Sequence, residues 1–183
     1  MPWQIDASHS HVGFSVKHMM VSTVKGQFKT YSGSLDINES DLTKSVISGE
    51  IEVASIDTRD NGRDDHLRSA DFFDVANYPK ITFQSKRIEA KGGNEYKVIG
   101  DMTIRGVTHE VVLDAEYHGL AKDPWGGTRT GFTVSGQINR KDFGLVWNAA
   151  LETGGVLVGE KIKLELEIEA VLQQAPVAET VAQ

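Results

Sequence analysis

Residues 160–170 read EKIKLELEIEA, and the reading of this stretch decides the fold. Ile162, Leu164, Leu166 and Ile168 alternate with Lys161, Lys163, Glu165, Glu167 and Glu169. A period of two puts the apolar set on one face of an extended chain and the charged set on the other. The segment is therefore a half-buried strand.

The same alternation recurs through the chain. Tyr96, Val98, Met102 and Ile104 share one parity, as do Val111, Leu113, Ala115 and Tyr117. Phe132, Val134 and Ile138 form another set, as do Ile47, Ile51 and Val53, Ile81 and Phe83, and Val12, Phe14 and Val16. Between Phe28 and Leu35 the apolar parity changes, which predicts a β-bulge near Gly33. Turn chemistry separates the runs at Gly92-Gly93-Asn94, at Arg105-Gly106-Val107-Thr108 and at Asp123-Pro124-Trp125-Gly126-Gly127. Residues 60–79 break the pattern. Asp60 or Asn61 caps a short helix near residues 63–72, and Pro79 blocks its continuation.

About eight half-buried strands with so little helix must cover their own apolar faces, as a sandwich or a closed barrel. Eight strands close into a barrel wide enough for side chains or one small ligand. Gly49, Gly100 and Gly136 lie on the apolar parity where a core side chain is expected. Two readings stand side by side: they leave room for a guest, or they bend strands at barrel corners.

The net charge of −7 argues against nucleic acid as a partner and against electrostatic docking on anionic membranes. The absence of cysteine excludes thiol catalysis and disulfides. No run of apolar residues is long enough to span a membrane as a helix. The start MPWQIDASHS lacks the features of a signal peptide. The chain thus reads as cytoplasmic if residue 1 is the natural start, and as periplasmic or secreted if a leader has been removed.

His9 and His11 are two apart and would share the outward face if the strand reached back that far; no third metal ligand stands beside them in sequence. His18 shares the inward parity of Phe14 and Val16, and Met19 and Met20 follow it as candidates for a pocket mouth. Arg59, Arg63, Asp64, Asp65 and His66 form the densest ionisable cluster, with Arg63 and His66 on one helix face. The cluster reads either as a head-group site or as a helix cap with a solvated ion-pair network. There is no G-x-S-x-G elbow, no P-loop and no dinucleotide fingerprint, so no residue is assigned as catalytic and none as a metal ligand.

In order along the chain stand WQIDASHSHVGFSVKHMM, STVKGQF, SIDTRDNGRDDHLRSADFFDVANYP followed by ITFQS, GDMTIRGVTHEVVL and INRKDFGLVWN. By this series the chain resembles the YceI-like family of polyisoprenoid-binding, lipocalin-like barrels. The resemblance implies an all-β domain over residues 1–172, an extended eight-stranded antiparallel barrel with a short helix near its mouth; the small and polar C-terminal residues read as a flexible tail over 173–183. It also implies non-catalytic binding, storage or transport of a long-chain isoprenoid lipid, a polyprenyl phosphate or an isoprenoid quinone, with no cofactor required and a possible homodimer. Alternatives are a carrier of a fatty-acid derivative, a hydrolase or isomerase acting at the mouth, and an interaction module with a filled barrel. Motif position and parity together nominate Phe14, Val16, His18, Met19, Met20, Phe28, Leu67, Phe72, Phe73, Phe83, Phe143 and Trp147 as tail contacts. Arg63, His66, Arg140 and Asn148 are nominated as head-group contacts.

Overall fold

A computed structural model describes residues 2–149 and 157–174. Eleven strand segments form one antiparallel sheet: β1 (Pro2–Ile5), β2 (His11–His18), β3 (Ser22–Phe28), β4 (Tyr31–Asp36), β5 (Val46–Glu52), β6 (Ile56–Asp57), β7 (Lys80–Gly92), β8 (Glu95–Ile104), β9 (Val107–Lys122), β10 (Thr128–Asn139) and β11 (Val158–Leu172). Three interruptions account for the number. A single helical turn at Ala7–His9 separates β1 from β2, Lys29 and Thr30 separate β3 from β4, and a turn at Val53–Ser55 separates β5 from β6. Each pair runs on as one long bent strand, so eight strands stand in the wall. β11 pairs with β1 and β2 as well as with β10, and this closes the ring in sequence order. Closure removes most of the sheet edge, but β3 meets β6 only at Gln27 and Phe28, so residues 22–26 have a strand partner on one side only.

The alternation of residues 160–170 is used as predicted. Phe132, Val134, Gly136 and Ile138 of β10 stand opposite Ile168, Leu166, Leu164 and Ile162 of β11, and the lysines and glutamates between them face solvent. The parity change between Phe28 and Leu35 has a different origin from the one expected. Gly33 pairs in plain register with Gly49, without a bulge; the chain breaks earlier, at Lys29-Thr30. There the Ser55 hydroxyl accepts the Lys29 and Thr30 amides, at 3.1 and 3.0 Å, and donates to the Glu52 carbonyl at 2.6 Å. One serine thus satisfies backbone groups that the broken ladder leaves over.

The helix α1 spans Asn61–Arg68, two residues earlier at its start and four shorter at its end than the expected 63–72. Asp60 caps it by accepting the Arg63 amide at 3.0 Å. Phe72 and Phe73 lie beyond the helix in a string of turns. Up-and-down order places the β2–β3 turn, residues 58–79, the β8–β9 turn and the described parts of the β10–β11 connection, residues 140–149 and 157, at one end of the barrel. At the other end Trp3, Leu35, Ile37 and Ala170 form a separate buried cluster that stoppers the barrel. No helix among the described residues is long and apolar enough to cross a membrane. The last nine residues of the expected tail lie outside the described residues.

Candidate functional site: an apolar cavity inside the barrel

The barrel encloses a cavity of about 600 Å³ whose wall is almost wholly apolar. That volume falls within the range of ligand sites. Along β11 the wall runs from Val158 to Ile168, ten residue steps, or roughly 34 Å of strand at strand rise. The cavity is therefore long, following the strands from the mouth toward the Leu35 and Ile37 end.

Twelve of the sixteen residues nominated from sequence stand in this wall. Phe14, Val16 and His18 come from β2, Phe28 from β3 and Phe83 from β7. Arg63, His66 and Leu67 come from α1, Phe72 and Phe73 from the turns behind it, and Arg140 and Trp147 from the β10–β11 connection. The aromatic rings are linked. Phe14 tilts against Phe28 with centroids 5.4 Å apart, and Phe73 meets Phe28 edge-on at 6.2 Å. At the mouth, His66 lies edge-on to Phe72 at 5.1 Å and to Trp147 at 4.7 Å. This contact joins α1 to the connection across the opening.

Four nominated residues stand elsewhere. Met19 and Met20 form the tip of the β2–β3 turn with positive φ, and point away from the cavity into solvent. Strand parity could not foresee this, because the strand stops at His18. Phe143 is buried against His109, with centroids 5.8 Å apart, and is core rather than wall. Asn148 is a backbone staple: Nδ2 donates to the Val158 carbonyl at 2.8 Å, and Oδ1 accepts the Val158 amide at 3.1 Å.

Arg140 lines the cavity, but four of its five N–H donors are used on the chain itself. Nε donates to the Gly159 carbonyl at 2.8 Å, Nη1 to those of Leu145 and Trp147 at 2.6 and 2.9 Å, and Nη2 to that of Val158 at 3.3 Å. Burial lowers its pKa from the ordinary arginine value, and the charge of Glu160 opposes that shift. Arg140 is a clamp that holds both arms of the β10–β11 connection over the mouth. Arg63 is less committed. Nε donates to Thr58 Oγ1 at 2.8 Å and Nη2 to the Thr58 carbonyl at 2.7 Å, while Nη1 has no protein partner among the described residues. Thr58 is fixed in turn by the buried Asp64, which accepts its amide at 3.0 Å and its hydroxyl at 2.5 Å. The ionisable cluster thus serves partly as helix cap and partly as mouth: Asp60 caps, Asp65 pairs with Arg68, and Arg63 and His66 face the cavity.

The three glycines divide. A Cβ at Gly100 would meet the Gln84 carbonyl at 2.5 Å and the Phe83 ring at 2.6 Å, and one at Gly136 would meet Leu113 at 2.6 Å. Neighbouring side chains fill those two spaces. At Gly49 only the Ser32 carbonyl comes near, at 3.6 Å, and the residue stands in the cavity wall. Gly49 alone of the three leaves open room. Sequence reading missed Gly26, whose space the Phe14 ring takes.

His9 and His11 do not share a strand, because β2 begins at His11 and His9 sits on the preceding turn. Ligand atoms of Asp6, His9 and Glu169 lie within 4.8 Å of one another, a spacing suited to a cation. Arg129 already supplies the positive charge there. Its Nη1 donates to Asp6 at 2.8 Å and to Glu169 at 2.7 Å, and its Nε to Asp123 at 2.9 Å.

A closed antiparallel barrel around a long apolar cavity defines the lipocalin-like class of barrels that enclose small molecules. Residues 3–170 match the YceI-like domain, and the chain belongs to that family. A UPF0312 protein of Staphylococcus epidermidis is 46% identical over 168 residues, covering 91% of this chain and 95% of that one. One from Staphylococcus aureus is 41% identical over 165 residues, covering 90% and 94%. Among solved structures, Burkholderia cenocepacia BcnA superposes with a TM-score of 0.78 at 25% identity, covering 90% of this chain and 98% of that one. The Campylobacter jejuni YceI protein gives 0.75 at 35%, covering 86% and 90%. A polyisoprenoid binding domain from Saccharophagus degradans gives 0.69 at 14%, covering 93% and 98%, a likeness of fold.

Proposed function

We propose that this chain is a non-catalytic carrier that encloses a long-chain isoprenoid lipid, a polyprenyl phosphate or an isoprenoid quinone, in its barrel. The observation that carries the reading is the continuous apolar cavity of about 600 Å³, closed at the Trp3 end and rimmed by aromatic and cationic side chains at the other. Hydrocarbon in that space is stabilised by roughly 0.8 kcal/mol per buried CH₂. Tens of carbons nominally exceed the practical affinity ceiling of about 18–21 kcal/mol, so ordering costs absorb part, and the lipid leaves slowly. Arg63 supplies the head-group contact through its free Nη1, with His66 beside it. The likeness to a fold described as polyisoprenoid-binding supports the same reading.

Extraction of the purified protein with organic solvent, followed by mass spectrometry, tests it. A carrier yields one dominant lipid with a long apolar tail, near one per chain. A dominant fatty-acid derivative would replace the isoprenoid assignment, and conversion of added lipid into product would replace the carrier by an enzyme.

A further inference from the structure

The tip of the β2–β3 turn carries apolar side chains that folding does not use. Met19, Met20 and Val21 are 44, 66 and 84% exposed. The two central residues, Met19 and Met20, have φ of 51° and 61°, and the Val21 amide closes the turn onto the His18 carbonyl at 3.2 Å. Asn-Gly takes this left-handed pair readily; methionine is strained in it. The tip stands at the mouth. The preceding His18 lines the cavity, and the Met19 amide donates at 2.8 Å to the carbonyl of Leu157, another wall residue.

Charge is segregated around this tip. Lys163 of β11 stands opposite Ser15 of β2, which stands opposite Lys25 of β3. Lys17 and Lys161 lie two residues nearer the mouth on β2 and β11. All four lysines are exposed and none has an ion pair among the described residues; Lys17 only donates to Thr23, at 3.2 Å. Glu165 and Glu167 follow on the same face of β11, away from the mouth. Across the mouth Asp65 pairs with Arg68, Asp57 pairs with Lys29 and Asp71 is engaged by His66, while Asp60 and Asp74 accept from the Arg63 amide and from Asn77 and have no ion pair among the described residues. The overall −7 thus hides a positive collar around an apolar tip.

We propose that this tip is a membrane-docking element: Met19, Met20 and Val21 enter the interface of an anionic bilayer, and Lys17, Lys25, Lys161 and Lys163 meet its head groups. Apolar burial and electrostatic attraction add in interfacial binding. Docked this way, the barrel faces the bilayer mouth-first. That the bilayer supplies the cavity's lipid rests on the carrier reading; the docking itself does not.

Flotation with vesicles of phosphatidylglycerol and phosphatidylcholine, against vesicles of phosphatidylcholine alone, tests the proposal. The protein floats with the anionic vesicles at low salt and detaches as salt rises. The triple variant Met19→Asn, Met20→Gly, Val21→Ser stays at the bottom of the gradient. It melts no lower than the parent, because Asn-Gly suits the turn. Lys→Gln changes in the collar weaken anionic-vesicle binding by about five-fold per lysine. A well-folded triple variant that floats like the parent overturns the proposal, and so does a parent that never floats. A shift in oligomeric mass on tip substitution, without a change in flotation, reassigns the tip to self-association. Flotation of a protein found to carry no lipid keeps the docking and removes the carrier reading.

Discussion

At Gly49 a single hydrogen atom decides how much of the barrel is empty. Because an added Cβ there meets only the Ser32 carbonyl at 3.6 Å, Gly49→Phe places its ring in the cavity without a backbone clash. The expected outcome is a barrel whose stability changes by no more than about 1 kcal/mol, and which has lost most of its lipid on extraction. Gly100→Ala behaves oppositely. Its Cβ meets the Gln84 carbonyl, so the barrel is destabilised by about 1–3 kcal/mol in urea titrations. The three glycines look alike in sequence, since parity states only which way a position points. What fills the space is decided by Phe83 and Leu113, which arrive from neighbouring strands. Phe143 and Asn148 stand after the end of β10, where alternation no longer assigns a face, and neither is in the cavity wall.

The elements around the mouth are held by polar contacts whose loss has distinct consequences. Arg140→Lys keeps the charge but cannot reproduce a planar fork donating to four carbonyls. It lowers stability by at least about 2 kcal/mol and frees the β10–β11 connection, so bound lipid leaves faster in a transfer assay. Asp64→Ala strands the Thr58 amide and hydroxyl and with them the anchor of Arg63, at about 1–3 kcal/mol in urea titrations. Existence and order of the strands were legible in sequence, because period-two alternation is strong over β8, β10 and β11. The places of their breaks were not. The parity change between Phe28 and Leu35 signals an interruption but not its place at Lys29-Thr30, where the backbone is held by Ser55, a residue 26 and 25 positions away.

For the whole molecule, closure is the decisive event, and Arg129 sits beside the seam where β11 meets β1. It joins β10 to the turn after β1 through Asp6, to the β9–β10 turn through Asp123 and to β11 through Glu169. Hydrogen bonds from Ser8, then Arg129 and His9, hold the Asp6 carboxyl well below the usual carboxylate range. Arg129, then the Gly127 amide, lower that of Asp123. Carboxyls depressed in the folded state add stability that is fully present above their unfolded pKa of about 4 and is lost as pH falls toward their folded values. Arg129→Met should therefore lower the melting temperature at pH 7, with the gap to the parent narrowing below about pH 4. A gap independent of pH would assign Arg129 a packing role instead. Half-buried strands with little helix narrow the fold to a sandwich or a closed barrel, and the family resemblance selects the barrel; neither reaches this network, whose members are separated by up to 163 positions and meet only on closure.

Native mass spectrometry of the protein purified directly from cells bears most directly on the enclosed lipid. The predicted spectrum shows the polypeptide mass plus one isoprenoid molecule, with the adduct absent from Gly49→Phe. A bare polypeptide that stays bare after incubation with polyprenyl phosphate and with isoprenoid quinone would contradict the account.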